Sequence, residues 1–470
     1  MTKIGLEVHC QLTKLESKLF CKCKTNYRTL PPNSNICTIC TGLPGSLPML
    51  NRKAVEKATM ISLALNCKIP EKISFFRKNY FYPDLPKNFQ ITQYNAYGPT
   101  SIGSDGKIGI EGKEIRIRRI QLEEDPGRLI YEGSSEKTMV TLVDYNRAGT
   151  PLVEIVTEPD FETPKQVRIF LNVLADLVEN IGISDPYLEG ALRVDANISM
   201  GEGNRVEIKN VGSFRDVEKA LHFEITRQTS LIERNIPVQA ETRHWDDARR
   251  ITVSSRSKEE EQDYRYLPEA DIPIIVMNRD SIEYMKKQMP ESIVARRERY
   301  IQKYDISPQV ADVLSSDRFY SDLFEKSHNE KNAKEVANII TTDLMGFADT
   351  REKKMELKIT AQHVSDLANS IVNNKLTRNS AKIALQEMVK DGKPLADVVA
   401  KLDLGHVSDM SSIEKIIDEV FQDELQAVSE AKQNPDTINY LVGKVMRKTK
   451  GKADPTVTLD IIRKKLSTQE

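Results

Sequence analysis

The sequence predicts an α+β chain in which a large strand-rich part is followed by a helical part and a small helical tail. Three observations carry this. The first 290 or so residues are short alternating segments broken by Gly, Pro and Asn, the punctuation of strands and turns with a few helices between. From about Pro290 apolar residues recur at helical spacing, with cap signals at Ser307-Pro308, Thr360 and Ser412 and a stop at Gly392. A further break falls between Leu404 and Ser411, which sets Ser412 to Leu466 apart as a tail.

Composition limits the function classes. A chain of 470 residues exceeds what one hydrophobic core organises, so two or three domains are expected. With 39% apolar and 29% charged residues it is an ordinary globular sequence. No apolar run reaches membrane-spanning length, and Met1 to Cys10 lacks the basic start and long apolar stretch of a secretion signal. A cytoplasmic protein without a membrane partner is expected. A formal charge of -1 excludes a surface that is basic throughout, so any nucleic-acid contact must be a local patch.

The elements follow in order. The opening strand places Ile4, Leu6, Val8, Cys10 and Leu12 on one face and Glu7, His9 and Gln11 on the other. A lone histidine is most simply a hydrogen-bonded residue; a carboxylate beside it on one face makes metal binding or proton transfer equally well supported. Cys21-Lys-Cys23 is followed, thirteen residues on, by Cys37-Thr-Ile-Cys40, a spacing that brings four thiolates to one tetrahedral zinc ion. No catalytic group accompanies them, so the expected site is structural and pins the loop 21–40. Cys10 and Cys67 sit in apolar stretches and read as core. Asn51 caps a helix whose apolar positions are Ala54, Ala58, Ile61 and Leu65.

Two later strands carry acids among apolar residues. Glu124 shares its face with Ile120 and Leu122, and Glu154 repeats the arrangement in Leu152 to Val156. A buried carboxylate is costly, so these acids should be paired, protonated or metal-bound. A hairpin follows, Leu192 to Ser199 and Arg205 to Lys209 around Gly201 and Gly203. One of its faces mixes Arg193, Asp195, Asn197, Glu207 and Lys209. Such a face suits a phosphate with its divalent ion, with Arg193, Asp195 and Lys209 as the cofactor-binding groups, and equally suits solvent. No P-loop or dinucleotide-binding glycine motif is present, so any phosphate must be held on a sheet face. No credible arrangement of a nucleophile with its base is present. In the tail, Lys444, Arg447, Lys448, Lys450, Lys452, Arg463, Lys464 and Lys465 are opposed locally by few acids and form the clearest basic patch.

Several segments together resemble the B subunit of aspartyl/glutamyl-tRNA amidotransferases, the GatB/GatE family. They are Ile4 to His9, Arg77 to Pro86, Leu122 to Asp125, Asn146 to Glu154, Glu158 to Asp160, Asp195 to Ser199, Asp263 to Glu269, Leu441 to Met446 and Lys450 to Pro455. The resemblance implies a large mixed-sheet cradle domain over 1–290, a helical domain over 291–405 and a YqeY-like, tRNA-binding tail over 406–470. It implies ATP and Mg²⁺ held by Glu7, His9, Glu124 and Glu154, with His9, Glu124 and Glu154 on the metal. It also implies a structural Zn²⁺ on the four cysteines, a glutaminase A subunit (GatA), a small C subunit (GatC) and a mischarged tRNA as substrate. Gln121 and Pro126 depart from the family pattern, where histidine and alanine are expected. The length leaves little room for the extra domain that GatE carries. The competing expectation is a non-catalytic, zinc-containing tRNA-binding scaffold.

Overall fold

The computed structural model describes residues 2–95, 98, 100–132, 140–201, 203–209, 211–257, 264–348, 350–404, 410–431, 436–449, 453 and 455–468. The chain divides into two compact units, Met1–Pro290 and Glu291–Glu470.

The first unit is built on an eight-stranded sheet. Its order is Ile251–Ser257, Glu241–Asp246, Val206–Lys209, Leu192–Met200, Thr2–Gln11, Pro151–Thr157, Lys113–Glu124 and Gly103–Ile110. Neighbours are antiparallel except Val206–Lys209 and Glu241–Asp246, which run parallel and make the sheet mixed. The opening strand lies in the interior of this sheet, paired on both sides. Its alternation explains the position: Ile4, Leu6, Val8 and Cys10 are buried in the core, while Glu7 and His9 face the other way. Helices Arg52–Ala64, Pro164–Asn180 and Phe214–Glu233 pack into the same core. Asn51 and Thr163 cap the first two, the latter with a capping box to Gln166. Gly106 leaves no room for a Cβ against Cys67 Sγ and the Leu65 carbonyl, so glycine there lets the edge strand close on the helix end. A three-stranded sheet, Leu267–Pro268, Phe76–Asn79 and Phe89–Thr92, joins the two motif segments around Arg77 and Glu269.

The second unit is helical among its described residues, from Ile293–Tyr304 to Pro455–Thr468. Ser307 and Thr360 cap helices as expected, and Gly392 ends one at φ +67°. The expected cap at Ser412 is corrected: Ser412 lies inside the helix Met410–Asp423, not before it. A π-helical turn at Ile339–Leu344 has no signal in the hydrophobic pattern. The apolar side chains form one cluster between Tyr300 and Leu404 and another between Ile413 and Leu466. The break expected between Leu404 and Ser411 falls largely on residues 405–409, outside the described residues. No helix among the described residues is long and apolar enough to cross a membrane.

Some of the tail cations are paired in the folded chain. Lys444 pairs with Glu424, Lys448 with Glu419 and Asp423, and Lys465 with Asp418. These acids sit in or just beyond the helix Met410–Asp423, distant in sequence, so a local charge count misses them. Lys450 and Lys452 lie outside the described residues. Arg447 and Arg463 are exposed with no ion pair among the described residues.

Glu224 ties a helix to the sheet edge. Its fully buried carboxylate accepts from Arg227 and Gln228 on its own helix and from Thr252 on a strand, and Arg243 Nε lies 3.1 Å away. Removing one partner leaves uncompensated buried charge, so Glu224→Ala should cost about 3 kcal/mol. Urea unfolding of the full chain, followed by the single tryptophan, Trp245, on the adjoining strand, measures this. A loss below about 0.5 kcal/mol, the size of an ordinary surface substitution, would show the cluster to be dispensable.

Candidate active site and metal centres

The polar face of the sheet gathers the first site. Register sets it: His9 lies opposite Glu154 on one neighbour, and Glu7 lies opposite Asp195 on the other. Side chains directly opposite across a ladder are in contact range. His9 Nε2 is 3.5 Å from Glu7 Oε1, 3.7 Å from Glu154 Oε2 and 3.9 Å from Glu123 Oε1. One ligand atom each from Glu7, His9 and Glu154 lies within 4.8 Å of the others.

The electrostatics follow from crowding. Burial pushes the Glu7 carboxyl up to about 7, helped by Glu154. Burial alone would lower His9, but its contact with Glu154 and the charges of Glu7 and Glu123 hold it up to about 9. Burial opposes ionisation of Glu154 too, yet His9 and Arg119 keep it at about 2. Glu123 is raised by burial and by Glu154. Glu154 Oε1 is buried without a hydrogen bond, although Arg119 Nη2 lies 3.5 Å away. An orphaned carboxylate oxygen among several acids fits a bound cation, and three carboxylates with one imidazole suit a hard or borderline divalent ion.

The expected residues are not all brought together. Glu7, His9 and Glu154 meet; Glu124 does not. Successive residues of a strand point to opposite faces, and in Lys113–Glu124 it is Glu123 that turns toward His9. Thr92 Oγ1 donates to Glu123 at 2.9 Å. Glu124 points the other way, accepting from Lys87 Nζ at 2.6 Å and from the Ile91 amide at 2.8 Å. There it lines a cavity of about 240 Å³ with Lys87, Arg77, Glu269, Cys21 and Cys40. The signal lies in the sequence: Ile120 and Leu122 mark the core face of that strand, so the acid for a polar face is the residue after Leu122.

The hairpin groups are close by but engaged with one another. Asp125, fully buried, accepts from Arg193 Nη2 at 2.8 Å and Nη1 at 3.1 Å and from Gln11 Nε2 at 2.5 Å. Burial would raise Asp125, but Arg193 and Arg147 outweigh it and hold the carboxyl below its usual range. Lys209 Nζ lies 3.1 Å from Asp195 and 3.8 Å from Glu207. Its charge is favoured by those acids and Glu7 against the opposing effect of burial.

Sequence patterns assign no chemistry to an aromatic wall beside this face. Tyr94 and Tyr266 stack with centroids 3.8 Å apart, Tyr80 and Tyr264 meet edge-on at 5.7 Å, and Lys78 Nζ lies 4.5 Å from the Tyr264 centroid. The segments Arg77 to Pro86 and Asp263 to Glu269 carry Tyr80, Tyr264 and Tyr266 but not Tyr94, and Asp263 lies outside the described residues.

The second site is the cysteine cluster. The sulfurs of Cys21, Cys23, Cys37 and Cys40 all lie within 4.8 Å of one another, so the cluster can hold a metal. Cys40 is lowered to about 4 by its hydrogen bond with Cys21, against burial, with help from Lys18. Lys18 is fully buried, and its Nζ donates to the Asn35 carbonyl at 3.0 Å and to Cys40 Sγ at 3.8 Å. Elemental analysis of the purified chain should find one tightly held metal ion per chain at this cluster, lost in Cys37→Ser/Cys40→Ser. Full retention in that double variant would rule the cluster out.

Comparison with known proteins gives a consistent answer along the chain. A family model described as the GatB/GatE catalytic domain matches residues 2–283, and one described as a GatB domain matches residues 322–466. The chain is 45% identical over 469 residues to the B subunit of the aspartyl/glutamyl-tRNA(Asn/Gln) amidotransferase of Saccharolobus solfataricus, covering 99% of each chain. It is 42% identical over 478 residues to the B subunit of the same enzyme from Thermotoga maritima, covering 98% of each. With the first unit matched almost end to end and full-length relatives at this identity, the chain belongs to the GatB/GatE family.

Proposed function

We propose that this chain is the subunit of a tRNA-dependent amidotransferase that activates the side-chain carboxyl of a mischarged aspartyl- or glutamyl-tRNA with ATP and then passes it to ammonia. The observation that carries this is the cluster of Glu7, His9, Glu123 and Glu154 around an unpartnered buried carboxylate oxygen. A non-catalytic tRNA scaffold has no use for so costly an arrangement.

The chemistry needs activation because a carboxylate oxygen is a poor leaving group. In the first step a carboxylate oxygen bonds to the terminal phosphorus of ATP, and ADP leaves with the electron pair. Ammonia then attacks the acyl phosphate, forming the amide, losing a proton and releasing phosphate. Mg²⁺ bound by His9, Glu154 and the neighbouring carboxylates would supply neutralisation of phosphate charge. The polar strand face orients the substrates and carries acids that are already desolvated. Because an acyl phosphate hydrolyses, ammonia has to arrive screened from water, and the cavity bounded by Glu124, Lys87, Arg77 and Glu269 supports such a route. Glu124 therefore belongs to that wall rather than to the metal.

A glutaminase partner, the A subunit, would make the ammonia, with a small C subunit completing a cytoplasmic complex. Zn²⁺ on Cys21, Cys23, Cys37 and Cys40 would hold the loop 21–40 that closes one side of the cavity. The domains would be a cradle over 1–290, a helical domain over 291–405 and a tRNA-binding tail over 406–470.

In the assembled complex, His9→Ala and Glu154→Gln should each lower ATP-dependent phosphorylation of the charged tRNA by about 10³-fold, the scale of losing a preorganised electrostatic group. Ammonia release from glutamine should persist, since it belongs to the partner. Normal phosphorylation by either variant would remove that residue from the site. Truncation after Asp403 should weaken tRNA binding and lower the slope of log affinity against log salt by at least about 2, because Lys415, Arg447 and Arg463 are exposed tail cations with no ion pair among the described residues. An unchanged affinity and slope would make the tail a bystander.

A further inference from the structure

The polar face carries more carboxylate than cation, and its cations differ in how they are held. Five act on Glu7, Glu123 and Glu154: His9, Arg119, Lys209, Lys78 and Arg193. His9 sits among all three acids. Arg119 lies against Glu154 and donates from Nε to Gln121 Oε1 at 3.0 Å. Lys209 is taken by Asp195 and Glu207, and Arg193 beside it by Asp125. Lys78 makes no ion pair among the described residues. Its Nζ rests 4.5 Å from the centroid of Tyr264 and 5.6 Å from that of Tyr80. Aromatic faces orient an ammonium without neutralising it.

The strand geometry aims this lysine at the right place. In Phe76–Asn79, Arg77 goes to one side, where it is bidentate to Glu269, so Lys78 goes to the other. Phe76 shares the Lys78 face and pairs in register with Thr92, whose hydroxyl holds Glu123. Lys78 therefore stands on the wall that faces the carboxylate cluster.

We propose that Lys78 is the catalytic cation that meets the phosphoryl group as it passes from ATP to the side-chain carboxylate of the charged tRNA. The assignment rests on the function proposed above. In that transfer the bond from phosphorus to the ADP bridging oxygen breaks, a bond from phosphorus to a carboxylate oxygen forms, and no proton moves. Negative charge grows on ADP, and a cation that makes no ion pair among the described residues is placed to stabilise it. Arg193 and Lys209, the cations that sequence alone favours, act by holding Asp125 and Asp195 instead.

The test uses the complete complex, Asp- or Glu-charged tRNA and labelled ATP under single-turnover conditions. Lys78→Met should slow phosphoryl transfer about 10²-fold at saturating ATP, with tRNA affinity, melting temperature and partner glutaminase activity unchanged. Lys78→Arg should recover at least about tenfold of that loss, as a charge at the same place would. Replacing glutamine with ammonium chloride should not restore amidation by Lys78→Met. A Lys78→Met rate within about threefold of wild type would overturn the assignment. So would a defect confined to KM for ATP, a failure of Lys78→Arg to recover activity, or rescue by ammonium. If the wild-type complex itself forms no phosphorylated intermediate, the proposed function fails, and that outcome is read separately from any effect of Lys78.

Discussion

The structure of the first unit is governed by one constraint: several carboxylates share the polar face of a single sheet, and nearby cations compensate them incompletely. Glu7, Glu123 and Glu154 crowd one imidazole, and an oxygen of Glu154 is left buried without a donor. Isolated charges do not persist in such a place, since each must be paired, protonated or bound to a cation. The sheet tolerates the crowding because its opposite face is a continuous apolar layer that fixes the register. A one-residue slip would turn every acid into the core.

Around that cluster the remaining charges are organised in pairs that restrict motion. Asp125 binds Arg193 and Gln11, Lys209 binds Asp195, and Lys87 binds Glu124. Each pair fixes a strand end or hairpin side chain against the next, so the acids keep the geometry that register gives them. The four cysteines serve the same end on the cavity side, where Cys21 and Cys40 share a wall with Glu124. A buried lysine, Lys18, lies beside Cys40 and offsets its thiolate charge.

Much of this is legible in the sequence. Period-two alternation locates the opening strand and puts Glu7 and His9 on one face, and the cysteine spacing locates a cluster that the folded chain does assemble. Helix caps at Asn51, Ser307 and Thr360 are equally plain, because a side-chain acceptor before an apolar run has a local cause. What the sequence hides depends on contacts between distant segments. Glu124 stands out over Glu123 when an acid on an apolar face is sought, whereas the folded sheet selects the face that continues from His9. The tail reads as basic because its acids lie some twenty or more residues upstream, as with Glu424 and Lys444. Lys78 carries no signal of its own because its meaning comes from Tyr264, nearly two hundred residues away.

The proposed function requires that the polar face bind a divalent cation through Glu7, His9, Glu123 and Glu154, with Glu124 outside the set. Mn²⁺ binding followed by electron paramagnetic resonance, with the cysteine cluster already loaded with zinc, tests this directly. One Mn²⁺ per wild-type chain is expected, lost in His9→Ala and in Glu123→Gln and retained in Glu124→Gln. Loss of the ion in Glu124→Gln with retention in Glu123→Gln would contradict it.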